Sequence, residues 1–237
     1  IPSYSKIPCL VTYIEQNDTT TIRGDIKTRG GFSARFEKCS FSLKLNQTAP
    51  LAGLPASDDW ILNASYIDKT FMRHKLCFDL FHRFSETNVA PKCSFAEVYV
   101  NDDYRGLYLI TERLDEQRAG IALTDTTTFV FKEPPIFYEK EGTEDLRNGG
   151  PNRYNQQFPE IEKRNFNLLM EDLHDFLLTS SDSQFIAEIA SWFDIQSVID
   201  WHLLLLFSNN NDGLKKNFYL YKKDEKTPLR FAPWDYD

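Results

Sequence analysis

The chain has 237 residues, of which 41% are hydrophobic and 14% aromatic, so it can fill a sizeable core and is not expected to be disordered. Its formal net charge of −8 argues against a general binder of nucleic-acid backbones. The longest apolar run, residues 203–207, is far shorter than the roughly 20 residues that a membrane-spanning helix needs, so we expect no transmembrane segment. The first residues lack the basic and apolar start of a signal peptide, and we expect any targeting sequence to have been removed.

The first half of the chain is predicted to be mostly β. Alternating apolar, aromatic and β-branched residues typical of strands occur at 11–15, 20–24 and 39–45. A helical pattern follows at 68–81, with Asp68 as its expected N-cap.

A hairpin and one more short strand are predicted next. Residues 96–100 and 105–112 flank a polar turn, and residues 129–132 form the short strand. Residues 133–159 are rich in Pro, Gly, Asn and charge, and are predicted to be an irregular connection between two regions.

The second half is predicted to be mostly helical. Helical patterns occur at about 160–178, 183–190 and 194–207, and a final hairpin pairs 217–222 with 229–234. We therefore predict an α+β fold in one domain, with a β-rich lobe at 1–132, the connection at 133–159 and a helix-rich lobe at 160–237.

Four cysteines and four histidines lie scattered along the chain. The cysteines form no C-x-x-C pair and the histidines no H-x-x-x-H pair, so a zinc site has no support. We expect the cysteines to be buried free thiols more readily than disulfides, because free cysteine packs as a small apolar side chain.

The end of the chain carries a pattern suited to phosphoryl transfer. Asp212 and Asn217 form D-x-x-x-x-N, and Asp235 follows a predicted strand. Such a reaction needs a carboxylate for the attacking hydroxyl, oxygen ligands for Mg²⁺ or Mn²⁺, and a cation near the γ-phosphate. The carboxylate would be that of Asp212, and the metal ligands would be Asn217 and Asp235. The cation would be Lys215 or Lys216.

A glycine-bearing loop in the β-rich half is predicted to hold the phosphates of ATP. Arg29 and Ser33 flank paired glycines that let the backbone approach an anion, and Lys38 and Lys44 follow. Lys44 alternates with two leucines, which places it on the strand face opposite the core. The loop matches neither the protein-kinase G-x-G-x-x-G nor a P-loop.

Several of these residues also have structural interpretations. The Asn-rich stretch around Asp212 is a good turn sequence, and paired lysines are often a solvated surface. Arg73 fits either a solvated helix face or an active-site ion pair, and Glu112 fits either a hairpin cap or a hinge position. Asp237 fits either a metal ligand or a solvated terminus.

These segments together resemble the CotH kinases, a family named for a bacterial spore-coat protein. The resemblance begins with the glycine loop and its lysines at 29–45 and with D-W-x-L-N followed by D-K-T at 59–76. It continues with the Y-V-N hairpin at 99–112, and with N-x-Y-L-Y at 217–221 and P-W-D-x-D at 233–237. Phe32 stands where a small polar residue is commoner, and Asp102 replaces the usual turn glycine.

The resemblance implies a two-lobed atypical protein-kinase-like fold that transfers phosphate from ATP to Ser or Thr of partner proteins. Carried over, Asp212 would be the catalytic carboxylate, and Asp235 with Asn217 would bind the metal. Asp237 matches a second tail aspartate. The nucleotide positions would be Arg29, Ser33, Lys38, Lys44, Arg73 and Glu112. Relatives imply an extracytoplasmic or cell-surface location, and family members continue past P-W-D-x-D, so we expect the catalytic region to extend beyond Asp237.

Two other functions stay open at the level of sequence. One is a catalytically silent adhesion or binding domain that keeps the same fold. The other is transfer of AMP, which would reuse the same metal and phosphate contacts. Retention of Asp212, Asn217 and Asp235 favours the kinase, because a scaffold has no need of three metal-compatible side chains at one site.

Overall fold

A computed structural model describes residues 1–137 and 151–236 of the chain. This part has an α+β fold with ten strands in two sheets and four helices. Contacts divide it into a first unit, residues 1–76 and 91–113, and a second unit, residues 77–90 and 114–236. Each unit contains one of the two sheets.

The first unit is built on a six-stranded antiparallel sheet. Its strands are β1 (Ile7–Glu15), β2 (Asp18–Arg29), β3 (Ser40–Leu51), β4 (Leu54–Asn63), β5 (Cys93–Val100) and β6 (Asp103–Glu112). They lie in the order β1-β2-β3-β4-β6-β5, so β4 pairs with β6 and the hairpin β5-β6 closes the edge. The strands and the hairpin predicted from alternation are confirmed, whereas β4 was not predicted.

One face of this sheet forms a hydrophobic core. Leu43 and Leu45 of β3 pack there with Trp60 of β4 and Tyr108 of β6, all at most 2% exposed. Burying such side chains stabilises a fold by about 1.5–3 kcal/mol each. Because strand side chains alternate between faces, Lys44 lies on the other face, as predicted.

Helix α1 (Arg73–Phe84) follows the sheet strand β4 along the chain. The helix starts at Arg73, later than the predicted residue 68, so Asp68 lies before its first turn. The Asp68 carboxylate nevertheless accepts a hydrogen bond from the main-chain N–H of Arg73, at 2.9 Å. It therefore satisfies one of the free N–H groups at the helix start, which is the function of a capping side chain.

The second unit contains a four-stranded antiparallel sheet and three helices. The strands are β7 (Phe129–Lys132), β8 (Gln156–Phe158), β9 (Phe218–Lys222) and β10 (Arg230–Pro233), and the helices are α2 (Asn167–Thr179), α3 (Asp182–Trp192) and α4 (Ile195–Ser208). The sheet order is β10-β9-β7-β8. The closing hairpin β9-β10 and the two later helices were predicted closely.

Two details of this unit differ from the sequence prediction. Strand β7 was placed in the β-rich lobe, but it pairs with β9 of the second sheet, so the contact-based division falls before it. Helix α2 starts at Asn167 and not near residue 160, because residues 156–158 form β8 and precede a proline. Much of the predicted irregular connection, residues 138–150, lies outside the described residues.

Aromatic side chains hold the sheet of the second unit against α4. Trp201 of α4 stacks on Phe231 of β10 with ring centroids 4.2 Å apart, and Phe218 of β9 lies 5.4 Å from Trp201. Asp194 caps α4 by accepting from the Ser197 N–H at 2.9 Å. The hairpin that precedes Asp235 is therefore packed on a capped helix.

The four cysteines are free thiols in the structure. Cys77 and Cys93 are buried, whereas Cys9 and Cys39 are half-buried. Burial raises the pKa of the Cys77 thiol to about 11, which makes it a poor nucleophile. Among residues 1–137 and 151–236, no helix has the length and hydrophobicity needed to cross a bilayer.

Candidate functional site

Three polar residues lie at one edge of the second sheet. Glu133 directly follows β7, Asn217 directly precedes β9, and Asp235 lies two residues after β10. Because β9 is antiparallel to both of its neighbours, the end of β7, the start of β9 and the end of β10 meet at the same edge. The fold thus brings the predicted metal residues Asn217 and Asp235 to one edge and adds Glu133.

Main-chain hydrogen bonds fix this edge beyond the regular ladder. The Trp234 N–H donates to the Asn217 carbonyl at 3.0 Å, and the Glu133 N–H donates to the Phe218 carbonyl at 2.9 Å. These bonds join the end of β10 to the start of β9, and the end of β7 to the start of β9. The backbone positions of the three polar residues are therefore set by the sheet itself.

All three residues have left-handed backbone conformations. The φ angles are +53° at Glu133, +70° at Asn217 and +59° at Asp235. Asn and Asp adopt this conformation more easily than other non-glycine residues, whereas Glu does so rarely. Such conformations cost free energy and concentrate at functional sites, which supports a functional role for this edge.

Asn217 is the most enclosed residue of the group, with 6% of its surface exposed. Its side-chain Nδ2 donates to Oδ1 of Asn210 at 3.4 Å, and its main-chain N–H faces Oε1 of Glu133 at 3.5 Å. With Nδ2 directed to Asn210, the remaining atom of the amide, Oδ1, is the one that would bind a metal ion. The Asn210 Nδ2 in turn lies 3.5 Å from the main-chain oxygen of Asp235.

Asp212 lies in a turn between α4 and β9. Its main-chain oxygen accepts from the N–H groups of Lys215 and Lys216, at 3.0 and 2.9 Å. Its carboxylate forms an ion pair with Lys216 Nζ at 2.7 Å, although both side chains are well exposed, 58% and 40%. Lys216 is thus the lysine that neutralises Asp212, and the predicted catalytic Lys215 is exposed beside it.

The predicted nucleotide residues belong to the first unit, where Lys38 is the most constrained. Its Nζ donates to the main-chain oxygens of Leu107 and, at 3.0 Å, Ala64. The same amine lies 4.4 Å from the ring centre of Tyr108 and 4.7 Å from that of Phe71. Burial lowers the pKa of Lys38, and the positive charge of Lys69 adds to that effect.

The glycine loop has a geometry that requires glycine at one position. Gly30 follows Arg29 at the end of β2 and has φ of +107°. A Cβ atom at Gly30 would lie 2.1 Å from Oγ of Ser33, whereas a Cβ at Gly31 would meet nothing within 4 Å. Ser33, the first residue of a short 3-10 turn, therefore lies directly over the Gly30 backbone.

The other predicted residues of this unit form separate contacts. Lys44 Nζ pairs with Asp58 at 2.8 Å, and Arg73 Nε lies 3.8 Å from the buried Asp68 carboxylate. Glu112 is 3% exposed, and its Oε2 accepts from the Lys92 N–H at 3.0 Å. These contacts place Lys44 and Arg73 in ion pairs and bury Glu112 at the end of β6.

Asp237, the predicted second tail aspartate, lies outside the described residues. Two neighbours of the edge, Lys132 and Glu133, were missed by sequence reasoning. The Lys132 Nζ lies 3.7 Å from the Glu133 carboxylate and 5.2 Å from the ring centre of Trp234. They were missed because their place at this edge follows from the pairing of β7 with β9, two strands far apart in the sequence.

The donor set at the edge fits Mg²⁺ better than zinc. No group of three or more His, Cys, Asp or Glu side chains suited to a metal occurs in residues 1–137 and 151–236. The edge offers the Asn217 amide oxygen and the Asp235 carboxylate. Magnesium keeps several waters and is often bound by one or two carboxylates plus substrate phosphates, so oxygen donors of this kind are of the type that it prefers.

Comparison with known proteins gives the family of this chain. The chain is 29% identical over 220 residues to the inner spore coat protein H of Bacillus subtilis (strain 168), a match that covers 90% of this chain. The chain spans 58% of the length of that relative. The family described as CotH kinase protein matches residues 26–237, which include both the glycine loop and the polar sheet edge. The chain therefore belongs to the CotH kinase protein family.

Proposed function

We propose that this chain is a protein kinase that transfers the γ-phosphate of ATP to Ser or Thr hydroxyls of partner proteins, with Mg²⁺ or Mn²⁺. The observation that carries the proposal is the meeting of Asn217 and Asp235 at one sheet edge, both with left-handed backbones. Asn217 directly follows the turn that holds Asp212. Membership of the CotH kinase protein family supports it.

The residues of the second unit divide the chemical work. The Asp212 carboxylate orients the acceptor hydroxyl and takes its proton as the hydroxyl oxygen bonds to the γ-phosphorus. The bond from that phosphorus to the bridging oxygen breaks, and ADP leaves. Asn217 Oδ1 and the Asp235 carboxylate would hold the metal, which would offset negative charge on the phosphates.

Lys215 and Lys216 add positive charge beside Asp212. Lys216 Nζ forms an ion pair with the Asp212 carboxylate at 2.7 Å. Lys215, exposed in the same turn, is the cation that contacts a phosphate oxygen. Asp237 is proposed as a further acidic ligand.

The first unit supplies the contacts to the nucleotide. Arg29 and Ser33 bind phosphate oxygens from the loop in which Gly30 lets the backbone approach closely. Lys38 and Lys44 add positive charge, and Lys38 is held in place by two carbonyl groups and two aromatic rings. Arg73 and Glu112 complete the proposed nucleotide set.

The spore-coat name of the relative supports an extracytoplasmic or spore-surface location for this protein. A surface location is compatible with the acidic net charge of −8, which does not favour nucleic acid as a partner.

The proposal is tested with ATP labelled at either the γ or the α position, Mg²⁺ and a Ser-rich acceptor protein. The parent protein is expected to transfer the γ label and not the α label. Asp212→Ala and Asp235→Ala are expected to lower the transfer rate by at least about 100-fold, because each removes a group that acts on the transferred phosphoryl.

Different outcomes identify the alternative functions. Transfer of the α label would indicate AMP transfer from the same site. A parent protein that binds no ATP in a direct titration would contradict both enzymatic functions and favour a binding domain. Thermal melting of both variants serves as the control for folding.

A further inference from the structure

Asn210 contacts both predicted metal residues of the second unit. Its Oδ1 accepts from the Asn217 side-chain Nδ2 at 3.4 Å, and its own Nδ2 lies 3.5 Å from the Asp235 main-chain oxygen. The Asn210 side-chain amide thus links Asn217, just before β9, to Asp235, two residues after β10. These bonds are long, so the link is one that tightens or loosens with small movements of the edge.

The backbone of Asn210 is fixed more firmly than its side chain. Its N–H donates to the Leu205 carbonyl at 3.3 Å, and its carbonyl accepts from the Gly213 N–H at 3.0 Å. A Cβ at Gly213 would lie 2.0 Å from a Leu205 methyl carbon and 3.1 Å from the Asn210 carbonyl oxygen. The turn therefore packs closely on the end of α4 and directs Asn210 towards the edge.

We propose that Asn210 is a positioning residue that orients the Asn217 amide for metal binding, an inference that rests on the proposed metal-dependent function. Asn217 can place either Oδ1 or Nδ2 towards a cation, and only the oxygen is a ligand. By accepting from Nδ2, the Asn210 Oδ1 selects the orientation that presents the Asn217 oxygen. The contact to Asp235 ties the second ligand to the same turn.

A residue in this role affects metal affinity more than nucleotide affinity. Loss of a neutral hydrogen bond that fixes a ligand is expected to weaken metal binding about fivefold, the change that corresponds to a typical net hydrogen bond. Metal ligands whose outer partners are removed commonly lose about 10- to 100-fold in affinity, which sets the upper limit. The KM for ATP at saturating Mg²⁺ is expected to stay unchanged.

The experiment compares Asn210→Ala with Asn210→Asp and with the control Asn211→Ala. An aspartate can still accept from the Asn217 Nδ2, so it keeps the amide orientation, but it cannot donate to the Asp235 main-chain oxygen; alanine loses both contacts. Asn211 is an exposed neighbour in the same turn. Mn²⁺ affinity is measured by electron paramagnetic resonance without nucleotide, and Mg²⁺ half-saturation is measured in the γ-transfer assay.

The expected result is at least a fivefold weaker Mn²⁺ affinity for Asn210→Ala, a smaller loss for Asn210→Asp, and no change for Asn211→Ala. Parental Mn²⁺ affinity in Asn210→Ala, or equal losses in Asn210→Ala and Asn211→Ala, would overturn the inference. If Asn210→Ala does not fold, Asn210→Ser, whose hydroxyl is too short to span the same gap, takes its place in the comparison.

The two proposals fail in different ways. A parent that binds Mn²⁺ but transfers no label contradicts the kinase, while the ranking of Mn²⁺ affinities still decides the role of Asn210. A parent that transfers label but whose Asn210→Ala variant keeps parental Mn²⁺ and Mg²⁺ dependence contradicts only the role of Asn210. A parent that binds no Mn²⁺ either with or without ATP contradicts both.

Discussion

At the residue scale, Gly30 has a conformation that only glycine adopts without strain. Its φ is +107°, and a Cβ there would lie 2.1 Å from Oγ of Ser33. We predict that Gly30→Ala lowers the free energy of unfolding by about 1–3 kcal/mol, because an L residue is strained in this region and Ser33 must move. Urea denaturation measures the effect.

Gly31→Ala is the matched control for that prediction. The position next to Gly30 has open space, with nothing within 4 Å of an added Cβ. Its change in unfolding free energy is expected to stay within about 0.5 kcal/mol. Equal effects of the two substitutions would show that the loop does not impose the geometry described for Gly30.

The Asp68 carboxylate has a pKa that can be tested through stability. Burial acts to raise its pKa, but hydrogen bonds from Thr70 and from the Arg73 N–H, with the nearby Arg73 charge, outweigh burial and lower it. A lowered pKa means that the ionised form is favoured in the folded protein. Its contribution to stability is therefore full above the ordinary Asp pKa of about 3.9 and is lost as the pH falls through the folded-state pKa.

Asp68→Asn is predicted to destabilise the protein by about 1.5–3 kcal/mol at neutral pH, because hydrogen bonds to a buried charged acceptor are lost. The difference from the parent should shrink below about pH 4, measured by urea denaturation across pH. Asp58→Asn, which removes the exposed pair with Lys44, serves as the control and should cost only about 0–1 kcal/mol. A difference for Asp68→Asn that does not change with pH would contradict the account.

At the scale of elements, one buried arginine joins α4 to β10. Arg230 of β10 is 8% exposed, and its guanidinium pairs with Asp194, the cap of α4, and donates to Thr87 Oγ1 at 2.8 Å. The neighbouring Asn88 donates to the Asp200 carboxylate of α4 at 2.7 Å. This network fixes the strand that leads to Asp235.

Arg230→Met is predicted to lower the free energy of unfolding by about 3–5 kcal/mol, because it leaves the Asp194 charge without its partner. Urea denaturation at neutral pH measures the loss. Arg105→Met, which removes an exposed pair with Asp103, is the control and should cost at most about 1 kcal/mol. Similar small losses in both variants would show that the network does not support the strand.

The elements that sequence predicted well are those with a strong local pattern. The helix α4 follows a capping aspartate and an apolar run, and the hairpin β9-β10 alternates clearly, so both were found within a few residues. The strand β4 was missed because its register with β3 contains irregularities that break the alternation. The start of α2 was predicted too early because the predicted helix included residues 160–166, which form turns and irregular chain between β8 and α2.

The site shows the same division. D-x-x-x-x-N and the strand-end Asp235 are local patterns, and the fold brings Asn217 and Asp235 to one edge. Glu133 and Asn210 were not predicted as site residues, since their place depends on pairing between β7 and β9 and on the packing of a turn against α4. Long-range pairing of this kind leaves no mark in the sequence near either residue.

At the scale of the whole molecule, the chain forms two units with one sheet each. The residues predicted to bind the nucleotide phosphates fall in the first unit. Asp212, Lys215, Asn217 and Asp235, which are predicted to act in catalysis or to bind the metal, fall in the second. The division of roles between the two units stays a prediction. Strand β7 has the composition of the β-rich region but pairs with β9 in the second sheet.

The most direct test of the central claim is the mass of an acceptor protein after incubation with the parent chain, ATP and Mg²⁺. The account predicts that the acceptor gains phosphoryl groups on Ser or Thr, and that Asp235→Ala, folded as judged by its melting curve, adds at least about 100-fold fewer. An acceptor of unchanged mass despite ATP binding by the parent, or equal phosphorylation by Asp235→Ala, would contradict it.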